Sequence, residues 1–139
     1  MRLFLDTSAI LAACGSVAGA SYEVFRLAPA QGWTLIGTPY VLEEVEANLS
    51  SFPLQASAVW ARLRSQLAIF DDVVTIDGPV IFDAAKDRPI LFSALAWSDV
   101  LLTLDRGDFK TLLGGSFYGL LILKPGDFLE RERKRGRIA

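Results

Sequence analysis

Apolar residues along this chain fall into short, nearly continuous runs separated by longer stretches with helical spacing. Residues 3–5, 33–36, 73–76, 100–104 and 120–123 form the runs and predict five strands. Between them the apolar positions recur every three or four residues, which predicts helices. A first helix over 9–13 takes Thr7 or Ser8 as its cap and Gly15 as its stop. A second covers 21–28, closed by Pro29 and Gly32. Pro39 opens a third, to about 49, that buries Val41, Leu42, Val45 and Leu49. A fourth runs from 51–53 to about 70 on the stripe Ala56, Val59, Trp60, Leu63 and Leu67. The stretch 90–97 is apolar all round, as a buried helix is. Short helices are expected over 109–113 and 127–135, and residues 80–82 fit a short strand or a loop.

Strands that alternate with helices, and that are mostly apolar rather than alternating, define a parallel sheet covered on both faces. Right-handed crossovers then build a three-layer α/β/α fold, whose strand order this pattern leaves open. The 139 residues suit one domain, 1–139, ending in a basic tail over 130–139.

Composition narrows the chemistry. The chain is 52% hydrophobic with a mean hydropathy of +0.36, which supports a packed core. The net charge of −2 provides no global basic field. There is no histidine, which excludes Ser-His-Asp chemistry, imidazole metal ligation and histidine bases within this chain. The one cysteine, Cys14, forms no internal disulfide, and a cytoplasmic location is expected. No apolar run reaches the roughly 18 residues of a membrane span. Arg2, an apolar segment and Cys14 resemble a lipoprotein signal, but Asp6 interrupts that segment and cleavage would delete the best core strand.

The acids carry the remaining chemistry. Asp6 follows the first strand and Asp105 the fourth, so both lie at the carboxyl edge where open α/β sheets bind ligands. Asp87 stands just before the helix leading into the fourth strand. Glu43, Glu44 and Glu46 lie off the apolar stripe of the third helix, and spacing does not choose between Glu44 and Glu46. Converging carboxylates repel, and a hard divalent cation removes the conflict; all-oxygen ligation suits Mg²⁺ or Mn²⁺. Such an ion activates water and neutralises a phosphate in an in-line displacement. Each acid also has a plainer reading: Asp6 and Asp87 as helix caps, Asp105 and Asp108 as turn acids around Gly107, Glu44 as a solvated helix residue.

Four stretches in this order resemble the PIN-domain family: Phe4-Leu5-Asp6-Thr7-Ser8, Thr38-Pro39-Tyr40-Val41-Leu42-Glu43-Glu44, Lys86-Asp87-Arg88-Pro89 and Leu102-Thr103-Leu104-Asp105-Arg106-Gly107-Asp108. The likeness is to the compact prokaryotic branch, which includes VapC-like toxins of toxin–antitoxin pairs. It implies a five-stranded parallel sheet in the order 3-2-1-4-5 and a Mg²⁺- or Mn²⁺-dependent ribonuclease. It also implies that Asp6, Glu44, Asp87 and Asp105 form the acidic quartet. Thr7 or Ser8, together with Thr103, match its accompanying polar residues, and Asp108 a position beside the acids. A homodimer and an antitoxin partner follow from the same likeness.

RNA needs positive charge, and Lys86, Arg88, Arg106 and Lys110 lie beside the acidic motifs. The basic tail is either a solvated helix end or an RNA or partner contact. Trp33, Trp60 and Trp97 read as core. Three rival functions share the architecture. A non-cleaving PIN-fold protein would bind RNA or a partner. A phospho-receiver would use Asp77 and the strand-end pair Lys124-Pro125, but Asp6 lacks the acidic neighbour that receivers need. A haloacid-type phosphatase would need aspartate where Ser8 stands.

Overall fold

The computed structural model describes residues 1–73, 88–105 and 113–139, and only the backbone of Arg88. Among the described residues, six strands form one sheet: β1 (Arg2–Leu5), β2 (Thr34–Gly37), β3 (Leu67–Ile69), β4 (Val100–Leu102), β5 (Ser116–Phe117) and β6 (Leu120–Leu123). Their order is β3-β2-β1-β4-β6-β5. The first five in that order are parallel, and β5 pairs antiparallel with β6. The parallel part thus has the 3-2-1-4-5 order, with β1 and β4 adjacent. The expected five-stranded sheet gains a short antiparallel edge, turned through Tyr118 (φ 49°) and Gly119 (φ 86°). Successive side chains of a strand face opposite sides of its sheet. Leu3, Phe4 and Leu5, like Leu101 and Leu102, are all buried, so both faces of the central strands are covered.

The covering helices are α1 (Thr7–Gly15), α2 (Ala20–Gln31), α3 (Pro39–Asn48), α4 (Gln55–Arg64), α5 (Arg88–Trp97) and α6 (Pro125–Lys134). None of the described helices is by itself long and apolar enough to cross a membrane. Cys14 is buried in α1, and burial pushes its thiol up to about 11. Trp33 and Trp60 lie in the core; Trp97 is half-buried and donates its indole N–H to the Asp71 carbonyl at 2.9 Å.

Several boundaries differ from expectation. The fourth helix ends at Arg64, not near residue 70, and the third strand is Leu67–Ile69, not 73–76. Ser65 Oγ turns back to the Arg62 carbonyl at 2.7 Å, and Gln66 N–H donates to the Leu63 carbonyl at 2.9 Å, which closes the helix. Leu67 keeps its burial but provides it from a strand. Val73 lies outside any strand, and 74–76 are outside the described residues, as are Asp77, 80–82 and 109–112. The second helix runs through Pro29 and stops at Gly32, whose φ of 68° is the left-handed stop glycine favours. The last helix starts at Pro125, a residue suited to a first turn.

The basic tail divides in two. Residues 130–134 lie on α6, and the rest fold back on it. Glu132 is 1% exposed, and Arg137 Nη1 reaches its carboxylate at 3.1 Å. The Arg137 N–H also donates to the Glu132 carbonyl at 3.0 Å, after a turn at Gly136 (φ 69°). Arg137→Ala leaves a buried carboxylate without its cation. The half-exposed guanidinium moderates the loss, so the expected cost is about 1–3 kcal/mol. Thermal unfolding of Arg137→Ala, with Glu132→Gln/Arg137→Ala recovering part of the loss, checks this.

Candidate active site

β1 ends at Leu5, and α1 begins at Thr7, so the residue between them must end a ladder and cap a helix. Asp6 does both. Its N–H donates to the Leu102 carbonyl at 3.0 Å, which extends the β1–β4 pairing by one residue. Its Oδ1 accepts the Thr7 N–H at 2.7 Å as the helix cap. The cap of α1 is therefore Asp6, not Thr7 or Ser8.

The other carboxylate oxygen, Oδ2, accepts two hydroxyls: Thr103 Oγ1 at 2.6 Å and Ser8 Oγ at 2.8 Å. Each hydroxyl in turn accepts a backbone N–H, Asp105 to Thr103 Oγ1 and Leu104 to Ser8 Oγ, both at 3.0 Å. Proton direction is thereby set throughout, from backbone N–H to hydroxyl to carboxylate. Ser8 and Thr103 stand 3.4 Å apart with both protons committed to Asp6. Such an arrangement serves an ionised carboxylate. Thr103 is itself held by its N–H on the Leu123 carbonyl of β6 at 3.0 Å, so three adjacent strands contribute to one site.

Asp6 is 4% exposed. Burial raises its pKa above the ordinary carboxylate value, and repulsion from Asp105 adds to the rise. The hydrogen bonds from Thr103, Ser8 and Thr7 pull it down without cancelling the rise. A buried anion beside a second carboxylate, already oriented by donors, wants a cation.

Glu44 enters from α3. Its Oε1 accepts Thr7 Oγ1 at 2.8 Å, across 37 residues of sequence. Glu43 and Glu46 are exposed, and Glu46 lies 3.9 Å from Arg64. The structure thus ties Glu44, of the three, to Thr7, the residue after Asp6. The start of α3 is fixed from outside: Thr38 makes no capping bond, and Asp72 Oδ2 accepts the Tyr40 N–H at 3.0 Å. Asp72 was not expected among the residues that set the site. A signal for it exists, since Pro39 at the first position leaves Tyr40 as an early orphan donor of the helix.

The structure therefore links Asp105 to Asp6 through Thr103, near enough to repel it, and Glu44 through Thr7. Asp87, Asp108, Lys86, Arg106 and Lys110 lie outside the described residues; Arg88 opens α5. Among the described residues, no three His, Cys, Asp or Glu side chains converge as a metal site. Asp6 and Asp105 nevertheless fit a hard divalent cation, because the donors are anionic oxygens whose mutual repulsion such an ion relieves.

No protein-family model matches the sequence. No curated protein matches it either. The fold is similar to a chain in the crystal structure of VapBC2 from Rickettsia felis bound to a DNA fragment from their promoter. The TM-score is 0.61 at 20% identity, over 88% of this chain and 97% of that one. The architecture is accordingly a PIN-like α/β fold with a mostly parallel sheet.

Proposed function

We propose that this chain is a Mg²⁺- or Mn²⁺-dependent endoribonuclease and the toxin of a toxin–antitoxin pair. The observation that carries the reading is Asp6, a buried carboxylate gripped by three directed donors and repelled by Asp105 at the carboxyl edge of a PIN-like sheet. Asp6, Asp105, Glu44 and Asp87 would hold the cation, with Asp108 beside them. When bound, the ion supplies charge neutralisation for a phosphodiester and lowers the pKa of an attacking water. The chain's own residues do the rest. Ser8 and Thr103 orient Asp6, Thr103 also takes the Asp105 N–H, and Thr7 orients Glu44. Lys86, Arg88, Arg106 and Lys110 would neutralise neighbouring phosphates. The Rickettsia felis protein sits in a VapBC2 assembly on promoter DNA, which supports an antitoxin partner here; a homodimer belongs to the same reading.

The test is incubation of purified protein with labelled RNA, with and without millimolar Mg²⁺ or Mn²⁺. Cleavage that starts with metal and stops with chelator is expected, and full cleavage in excess chelator refutes the reading. Thr7→Val removes the 2.8 Å bond to Glu44 and keeps the shape of the side chain. Losing a partner that orients a ligand costs about 10- to 100-fold in metal affinity or activity. A fall of roughly tenfold in cleavage rate at limiting metal, largely recovered by Thr7→Ser, is expected from metal-titrated kinetics.

A further inference from the structure

The basic end of the chain holds more positive charge than its own fold uses. Arg137 is spent on Glu132, Arg133 donates to the Ala139 carbonyl at 3.1 Å, and Lys134 pairs with Glu130 at 3.1 Å. Lys124 pairs with Asp127 at 3.9 Å. Arg131 and Arg135 are exposed and have no carboxylate partner among the described residues. Arg131 lies on the last turn of α6 and Arg135, four residues on, is its C-cap, so about 6 Å along the axis separates them. Both line a groove of about 490 Å³ with Leu123, Asp127, Glu130 and Lys134. The lining sets three cations, Arg131, Lys134 and Arg135, against two acids, Asp127 and Glu130, a net charge of +1, and Lys124 beside it pairs with Asp127.

The groove reaches the carboxyl end of β6 at Leu123. Its wall includes Leu123, whose carbonyl accepts the Thr103 N–H, and Thr103 grips Asp6. One strand spacing, about 4.8 Å, separates β6 from β4. We infer that this groove is a binding track for the phosphodiester backbone of single-stranded RNA, with Arg131 and Arg135 on phosphates outside the scissile one. The inference rests on the ribonuclease reading and adds to it where the strand runs. Two guanidinium forks at one-turn spacing suit phosphate oxygens, which they bind in bidentate fashion. Backbone contacts of this kind set affinity and carry no base preference.

Binding is measured by fluorescence anisotropy of a labelled single-stranded RNA of about 20 nucleotides, in the Asp6→Asn background so that the strand stays intact. Arg131→Gln/Arg135→Gln should weaken binding roughly fivefold or more at about 50 mM salt. Each lost phosphate contact should flatten the slope of log affinity against log salt by about 0.7, or about 1.4 for the pair. Arg26→Gln, an exposed cation on α2 already paired with Glu23, should change neither. An unchanged affinity and slope in the double variant overturns the track, as does an equal loss in Arg26→Gln or no RNA binding at all. Tighter binding of an oligo-glutamate peptide than of RNA, lost in the double variant, also overturns it in favour of an acidic protein partner. The assay needs no cleavage, so failure of the nuclease reading shows separately, as wild-type protein that binds RNA and leaves it whole with metal present.

Discussion

Asp6→Asn is expected to abolish metal-dependent RNA cleavage while leaving the chain folded. Asn keeps the shape and an oxygen for the Thr7 N–H at the head of α1. It removes the negative charge that Thr103, Ser8 and Thr7 orient. Removing one preorganised electrostatic contact at a reacting centre costs on the order of 10²–10³ in rate, and losing a charged ligand should reach the upper end. The effect on stability has the opposite sign. Burial raises the native pKa of Asp6 above its ordinary 3.8, so the native state binds this proton more tightly than the unfolded chain. Stability therefore falls as pH climbs from the ordinary value through the raised one, and the full penalty is present above it. Asn carries no such penalty. In chelator, the melting temperature of Asp6→Asn minus that of wild type should grow from acid to neutral pH. Added metal should shrink the difference, because it stabilises only the form that binds it. Wild-type cleavage rates in the variant, or a melting difference flat with pH, would show that Asp6 is a helix cap and nothing more.

That plainer reading was half right, which shows how far residue patterns reach. Asp6 is the cap of α1, through Oδ1, and the anchor of the acid cluster, through Oδ2. One carboxylate has enough lone pairs for both, so local spacing could not separate the two roles. Glu44 shows a second limit. Its stripe excluded it from the core but did not choose it over Glu46, because the choice is made by Thr7, 37 residues away. Only the meeting of α1 with α3 decides it. The third strand shows a third limit. Leu67 continues the spacing of Ala56, Val59, Trp60 and Leu63, so periodicity carries the helix past its end. The turn at Ser65 and Gln66 contains neither glycine nor proline. By contrast, the strands at the centre of the sheet were legible because burial on both faces leaves no polar position. The two-residue β5 is too short for any period to register.

Thr103→Val carries the second large effect, and it separates positioning from packing. Thr103 is fully buried, and Val fills the same space without the hydroxyl. Two contacts go together: the 2.6 Å donation to Asp6 and the acceptor for the Asp105 N–H. The bond from Thr103 is the largest influence holding the Asp6 pKa down, so its loss moves that carboxyl further up. The site then needs a higher pH to present the anion, and the acid limb of the pH–rate profile shifts to higher pH. Metal affinity should fall about 10- to 100-fold, as when a group that orients a ligand is removed. Excess metal should therefore recover part of the rate. Thr103→Ser restores the donor and should return both the metal midpoint and the acid limb toward wild type, at the cost of one buried methyl. A rate loss in Thr103→Val with the acid limb and the metal midpoint unmoved would reduce Thr103 to a packing residue, and the donor chain from Asp105 through Thr103 to Asp6 would then have no part in setting the charge of the site.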